Sequence, residues 1–363
     1  MRDISWLNWP IEYKKSGIGK YSSVYIDELK KTIKIHDIWF KMNPNSIRRI
    51  LLQFLIIPLR LMFKKTDIKV FSDEWRLPIL LYPIKNIICI IHDIRNYDLT
   101  TKKQSPLQRI YFKIIKSSFK RLNKVQKIIT PSEFTKNSLI SLWIDGKKIG
   151  VIPNIIDKNI YHPLHIEKSM LKKQLFDKYS LWEANLKKKI LLNVWSEEDR
   201  KNIITILKAL KDFDNCIFIK IGKAIIGENR KKHLDFVKKN RLNCVFIDEV
   251  NEWDLVSFYN VADIFIFPSL FEGFGRPPIE AQACWCPVIA SKKWWLKEVV
   301  DGSCIILNNP LDEKEIAKKI KLCIINDKLR QDIIKKWYHN ARRFVLDNNV
   351  WKWGKILQEI NTD

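Results

Sequence analysis

The sequence predicts an α/β protein of two doubly wound domains, and three observations carry that expectation. Short β-rich runs alternate with longer helical patterns along the chain, the signature of parallel sheets covered by helices. The runs form two sets of about six, on either side of a polar, weakly periodic stretch from Ile156 to Lys188. The 363 residues also exceed what one hydrophobic core usually organises. We therefore expect an amino-terminal domain over residues 1–160, a linker region over 161–187 and a second domain over 188–345, with a carboxy-terminal helix at about 346–363 packing back on the first.

In chain order the first set of strands is Ile4–Leu7, Lys34–Phe40, Ile68–Ser72, Ile87–Ile91, Lys127–Thr130 and Gly150–Ile152. The second set is Ile190–Val194, Cys216–Ile221, Cys244–Ile247, Asp263–Phe267, Val288–Ala290 and Cys304–Leu307. Ligands of such sheets bind beyond the carboxyl ends of the strands, and the cleft between two domains is the default active site. The loops that follow strands are therefore where chemistry is sought.

With 46% hydrophobic and 12% aromatic residues, the chain is neither a disordered tail nor a fibrous repeat. A formal charge of +25 attracts something polyanionic: nucleic acid, anionic lipid or a phosphorylated substrate. Seven scattered cysteines do not suit a disulfide framework and point to a reducing cytoplasm. Arg2, Asp3, Glu12, Lys14 and Lys15 stand where a signal peptide needs an unbroken apolar run. The most apolar stretch, Ile50 to Phe63, is interrupted by Gln53, Pro58 and Arg60 and is shorter than the ~20 residues that span a bilayer.

Four of the ten glycines form two Gly-x-Gly pairs, Gly17 with Gly19 and Gly273 with Gly275, each between a strand signal and a helix signal. Glycine there lets backbone amides approach a phosphate, and a following helix turns its free N–H groups toward the anion. The second pair lies in FPSLFEGFGRPPIEAQACWCPVIAS, from Phe267 to Ser291, where Pro277 and Pro278 suit a first helical turn. Glu272 and Glu280 bracket this loop. Paired carboxylates beside an anion-binding loop suit acid/base work or the binding of sugar hydroxyls, while Glu280 alone also fits a helix-dipole role.

This segment resembles the glutamate-x7-glutamate motif of retaining glycosyltransferases of the GT-B architecture, the large group 1 family of mannosyl-, glucosyl- and N-acetylglucosaminyltransferases. KSGIGKYSSVYIDEL from Lys15 is similar to that family's amino-terminal glycine loop, IIHDIRNYD from Ile90 to its His-Asp segment, and IITPSEFTKNSL with VIPNIID to the close of its first domain. The resemblance implies a nucleotide-sugar donor, with Glu280 on its ribose and Glu272 on the sugar hydroxyls. Gly17 and Gly19 would lie at the donor, and Gly273, Phe274 and Gly275 would offer backbone amides to the sugar and diphosphate. Arg200 and Lys201 match the basic pair that neutralises the leaving diphosphate, and His92 borders the reacting sugar, hydrogen-bonding it or orienting the acceptor. It further implies same-face attack without an enzyme nucleophile, and a glycan or lipid-linked sugar as acceptor in surface polysaccharide synthesis. The wording SGIGKY and RKN leans the expected donor toward a GDP-mannose-like sugar, with UDP-hexoses as the alternative.

No cofactor and no metal is expected: the one Asp-x-Asp, Asp212 and Asp214, reads as a solvated turn, and Cys284-x-Cys286 lacks a second ligand pair. Two sites, three residues in all, depart from the family pattern. Val194-Trp195 stands where Gly-Arg is common, leaving Arg200 more of the diphosphate to bind, and Trp285 stands where glycine is usual.

From Thr101 to Ser132 there are nine Lys/Arg and no carboxylate. Ser105-Pro106 with Gln108 reads as a capped helix start, after which Leu107, Ile110, Tyr111, Ile114, Ile115, Phe119 and Leu122 form an apolar stripe beside Arg109, Lys113, Lys116 and Lys120. Such a helix packs a core with a solvated basic back, or adheres to anionic lipid. The Ile47–Phe63 segment, flanked by Arg48, Arg49, Lys64 and Lys65, favours lipid, which places the protein at the inner face of the cell membrane. The rival readings are a nucleic-acid-binding protein, for which no zinc knuckle, basic zipper or ribonucleoprotein signature is present, and a noncatalytic transferase-like partner subunit.

Overall fold

The computed structural model describes residues 3–10, 17–40, 52–94, 106–224, 227–292, 294–300 and 302–360. Among them, strands form at all twelve predicted runs. β1 (Asp3–Pro10), β2 (Lys34–Phe40), β3 (Ile68–Phe71), β4 (Ile87–Ile90), β5 (Lys127–Thr130) and β6 (Ile149–Val151) make one parallel sheet, in the order β2-β1-β3-β4-β5-β6. β7 (Lys189–Val194), β8 (Cys216–Ile221), β9 (Cys244–Ile247), β10 (Ile264–Phe267), β11 (Val288–Ser291) and β12 (Ile305–Leu307) make the other, in the order β12-β11-β10-β7-β8-β9. Two compact units result: Met1–Ile155 together with Leu346–Asp363, and Ile156–Val345.

In the first unit the two-residue period of the strands divides the core into two layers. Leu7, Phe71, Cys89 and Ile128 point to one face, where they meet Ile57 and Leu61 of the helix Ile57–Phe63 and Ile115 and Phe119 of the helix Pro106–Phe119. Their neighbours Trp6, Val70, Ile88 and Ile129 point to the other, against Tyr21 and Tyr25 of the helix Gly17–Leu29 and Trp353 of the helix Val350–Glu359. Each fully buried side chain of this size contributes roughly 1.5–3 kcal/mol relative to exposure.

The second unit buries Ile203, Ile206, Ile316, Ile320 and Trp337 against one face of its sheet. The predicted linker is not a free connector. It contains the helix Lys168–Lys178, whose Leu171, Leu175 and Phe176 are buried, and Tyr179 donates to Asp254 at 2.6 Å on the helix Glu252–Val261. The helical spacing of these apolar residues is diluted by six lysines in 168–188, which hid the helix from a periodicity reading.

Candidate functional site

In the second sheet β7 and β10 are adjacent although two strand-helix units separate them in sequence. Chain direction away from the sheet reverses between them, so the loops that follow part and leave room for a ligand. β7 leads into a short 3₁₀ turn, Asp199–Lys201, ended by Asn202 in the left-handed region at φ 57°. The Asn202 amide donates to the carbonyls of Pro268 (3.3 Å) and Pro310 (2.6 Å), and Leu270 N–H donates to the Arg200 carbonyl at 2.7 Å. The loops after β7, β10 and β12 are thus stitched together.

This stitching brings the predicted basic pair onto the predicted carboxylate. Arg200 Nη1 lies 2.9 Å from Glu272 Oε2, the Lys201 ammonium pairs with Glu272 Oε1, and Ser269 Oγ donates to the same oxygen at 2.7 Å. Arg200 also pairs through Nη2 with Glu198. Glu272 and Lys201 are buried, the latter only 2% exposed. Burial pushes the Glu272 carboxyl up, but the Lys201 and Arg200 charges and the hydrogen bonds outweigh it and hold the carboxyl below its ordinary range. Burial draws Lys201 down to about 7, with the Glu272 charge pulling the other way.

Gly275, at φ 88°, ends the loop and starts the helix Arg276–Ala283. A side chain there would be strained, and a Cβ would stand 3.2 Å from Leu296 Cδ1. Phe274 is buried against Phe344, ring centroids 5.4 Å apart, so the ring holds the loop and leaves the backbone for any ligand. The predicted helix-end anion site is narrower than expected. Pro277 and Pro278 occupy the second and third helical positions and carry no N–H, so two of the usual four unpaired amides are missing. Glu280 is the fifth helical residue, beyond the first turn, and a dipole role does not account for it. It accepts from the Tyr259 hydroxyl at 3.1 Å and pairs with Arg276 Nη2 at 3.2 Å, forming a second buried cluster.

In the first unit His92 follows β4 and is 8% exposed. Its Nε2 lies 2.9 Å from the Ser72 carbonyl, and Tyr21 meets its ring edge-on, centroids 5.1 Å apart. Burial pulls its pKa down to about 4, so the imidazole is neutral at pH 7. Nε2 then carries the proton, donated to Ser72, and Nδ1 is an acceptor. Tyr21 belongs to the helix Gly17–Leu29, and so the glycine-loop and His-Asp segments do meet. Gly17 and Gly19 themselves are the first and third residues of that helix, not a loop preceding it; residues 11–16 lie outside those described.

Arg109, Lys113, Lys116 and Lys120 are all exposed. The described part of the apolar stripe beside them is core: Ile115, Phe119 and Leu122 are buried in the first unit. Ser105, Arg48 and Arg49 lie outside the described residues, as do the side chains of Leu107, Ile110 and Tyr111. The helix Ile57–Phe63 and the turn before it differ. Leu55, Ile56, Leu59 and Met62 are exposed and Phe63 is 81% exposed, while Ile57 and Leu61 enter the same core layer as Ile115.

Among the described residues no group of three His, Cys, Asp or Glu is placed to hold a metal ion, and no helix is long and apolar enough to cross a membrane. Asp212 and Asp214 are exposed before the amino end of β8. Trp285 has φ 58° where it ends the helix Arg276–Ala283, which explains why glycine suits the position. It lines a cavity of about 230 Å³ with Lys189 and Pro287, at the amino ends of β7 and β11, and so the substitution repacks a turn remote from Glu272. Ser269, Glu198, Asn202 and Tyr259 were not singled out by sequence; only the nearness of Ser269 to Glu272 hinted at any of them.

Residues 180–340 match the family model described as Glycosyl transferases group 1, and residues 25–159 match Glycosyltransferase Family 4. The O-antigen chain mannosyltransferase RfbU of Salmonella typhimurium is 28% identical over 281 residues, 76% of this chain and 70% of that protein. O-antigen chain mannosyltransferase B of Escherichia coli is 24% identical over 93% of this chain and 95% of its own. Among solved structures, HepE of Anabaena in complex with UDP and glucose superposes with a TM-score of 0.77 over 99% of this chain and 100% of that one, at 15% identity. Sucrose-phosphate synthase of Thermosynechococcus elongatus superposes at 0.74 over 99% of each chain, also at 15% identity.

Proposed function

We propose that this chain, which belongs to the group 1 glycosyltransferases of GT-B architecture, transfers a hexose with retention from a nucleotide-diphosphate sugar to a hydroxyl of a glycan or lipid-linked acceptor in surface polysaccharide synthesis. The convergence of Arg200 and Lys201 on Glu272, at the parting of the β7 and β10 loops, carries this reading. As the glycosidic bond to the diphosphate lengthens, negative charge grows on the phosphate oxygens, and two fixed cations stabilise it more in the transition state than in the ground state. Glu272 aligns the sugar hydroxyls, Glu280 holds the ribose, and neutral His92 accepts a hydrogen bond at Nδ1. Among the described residues the buried Nε–H groups of Arg200 and Arg276 meet no acceptor, which supports a ligand rich in oxygen. The mannosyltransferase relatives favour a GDP-mannose-like donor, with UDP-hexoses as the alternative. Arg200 and Lys201 supply the charge that a metal ion supplies elsewhere, so transfer proceeds in excess chelator.

The test is transfer from a panel of GDP- and UDP-sugars, with chelator present, together with nucleotide titration. Glu280→Ala is expected to weaken nucleotide-sugar binding about tenfold through loss of a charged hydrogen bond. Turnover that appears only with added manganese, or unchanged binding in Glu280→Ala, overturns these assignments.

We also propose that the first unit rests peripherally on the anionic inner face of the cell membrane. The exposed Leu55, Ile56, Leu59, Met62 and Phe63 supply apolar area, and Arg109, Lys113, Lys116 and Lys120 supply charge from a helix in the same core layer. Phe63→Asp, or Gln at the four basic positions, is expected to release the protein from anionic vesicles in sedimentation, and wild-type binding to fall as salt rises. Retention on duplex DNA in place of vesicles at matched salt would favour a nucleic-acid partner instead.

A further inference from the structure

The Lys201 ammonium meets, besides Glu272, the face of the Trp195 ring 4.0 Å from its centroid, with the Phe267 ring at 5.8 Å. Trp195 is only partly buried, yet its backbone is pinned. Its N–H donates to the Ile221 carbonyl at 2.9 Å. Its carbonyl accepts from Lys220, a fully buried lysine on β8 that also donates to the carbonyls of Ile221 (3.0 Å) and Gly222 (3.3 Å). Gly222 makes this closure possible: its φ is +123°, and a Cβ there would lie 2.1 Å from the Trp195 oxygen. The loop after β7 is therefore clamped to the end of β8, and the clamp sets where the indole lies.

An aromatic face attracts an ammonium electrostatically, and more strongly where water is excluded. Trp195 brings no charge of its own to the donor site. We propose that Trp195 is a positioning residue for the transfer reaction, its ring face holding the Lys201 ammonium beside Glu272 where the leaving diphosphate must be met. The inference rests on the donor-site reading above. Because burial draws Lys201 toward about 7, a contact that favours the ammonium decides how much of it is charged at neutral pH. The other charged groups that act on Lys201 are Glu272, Arg200 and Glu198, and the substitutions below retain all three.

The test compares the wild type, Trp195→Phe and Trp195→Leu from pH 6 to 9, by calorimetric titration of GDP and UDP and by kcat/KM for the donor, with thermal melts to verify folding. Leucine keeps apolar bulk and loses the ring face. Trp195→Leu is expected to bind nucleoside diphosphate about tenfold more weakly at pH 7.5 and to move the alkaline limb of kcat/KM about one pH unit lower. Trp195→Phe is expected to recover most of both. If Trp195→Leu matches the wild type across the range, or Trp195→Phe and Trp195→Leu are equally impaired, the ring face has no such role. A wild type that neither binds nucleoside diphosphates nor transfers sugar rejects the donor-site reading itself and this inference with it.

Discussion

Lys201→Met and Glu272→Ala are each expected to lower turnover on the nucleotide sugar by about 100- to 1,000-fold, the first by removing a preorganised cation from the developing diphosphate anion, the second by removing the carboxylate that aligns the donor sugar and holds Lys201 and Arg200 in place. The two side chains act as a unit, since Lys201, Arg200 and Ser269 all bind the Glu272 carboxylate. The double variant is accordingly expected to lose little beyond the worse single variant, a coupling that single-turnover transfer measures directly. The pH profile follows from the same pair. Burial draws Lys201 to about 7, and the protonated form opposes the diphosphate. In the donor-free enzyme kcat/KM should be level on the acid side of that value and fall as pH rises through it, whereas in kcat the limb shifts upward because bound diphosphate favours the ammonium. Lys201→Met should abolish the limb.

Trp353→Ala is expected to destabilise the first unit by about 3–5 kcal/mol, since it empties a large buried site. Trp353 is fully buried, its ring 4.8 Å from Trp6 and 6.2 Å from Tyr25, centroid to centroid. Loss of that size consumes much of the 5–15 kcal/mol that holds an ordinary domain folded. Denaturation followed by tryptophan emission and by nucleotide titration separates the units: the early transition belongs to the first unit, while GDP or UDP binding by the second persists. A single unshifted transition would contradict this packing.

The strands were legible because each is a short apolar run bounded by polar turns, and the two sheets required only that their order alternate with helices. The partners of Glu272 were legible only through family resemblance, because Arg200 and Lys201 lie about seventy residues away and meet it through the adjacency of β7 and β10, which no local pattern encodes. Trp195 and Lys220 were less legible still. A lysine in the middle of a β-rich run, Cys216–Ile221, looks like a solvent-facing position, yet its ammonium turns back to cap three carbonyls. Of the apolar stripe beside Arg109, the described Ile115, Phe119 and Leu122 are buried in the core, an outcome that pattern cannot foresee because it does not distinguish a face turned to a core from one turned to lipid.

The helix Val350–Glu359 has a consequence for synthesis. All six strands of the first sheet leave the ribosome some two hundred residues before this helix does, and at 5–20 residues per second that interval is roughly 10–40 s. Throughout it Trp6, Tyr25, Ile152 and Ile155 lack the cover that Trp353, Ile356 and Leu357 later provide. The nascent first unit is therefore a natural client for chaperones. Slow translation of residues 156–345 would lengthen its exposure, and the second unit, contiguous in sequence, can finish folding before the first.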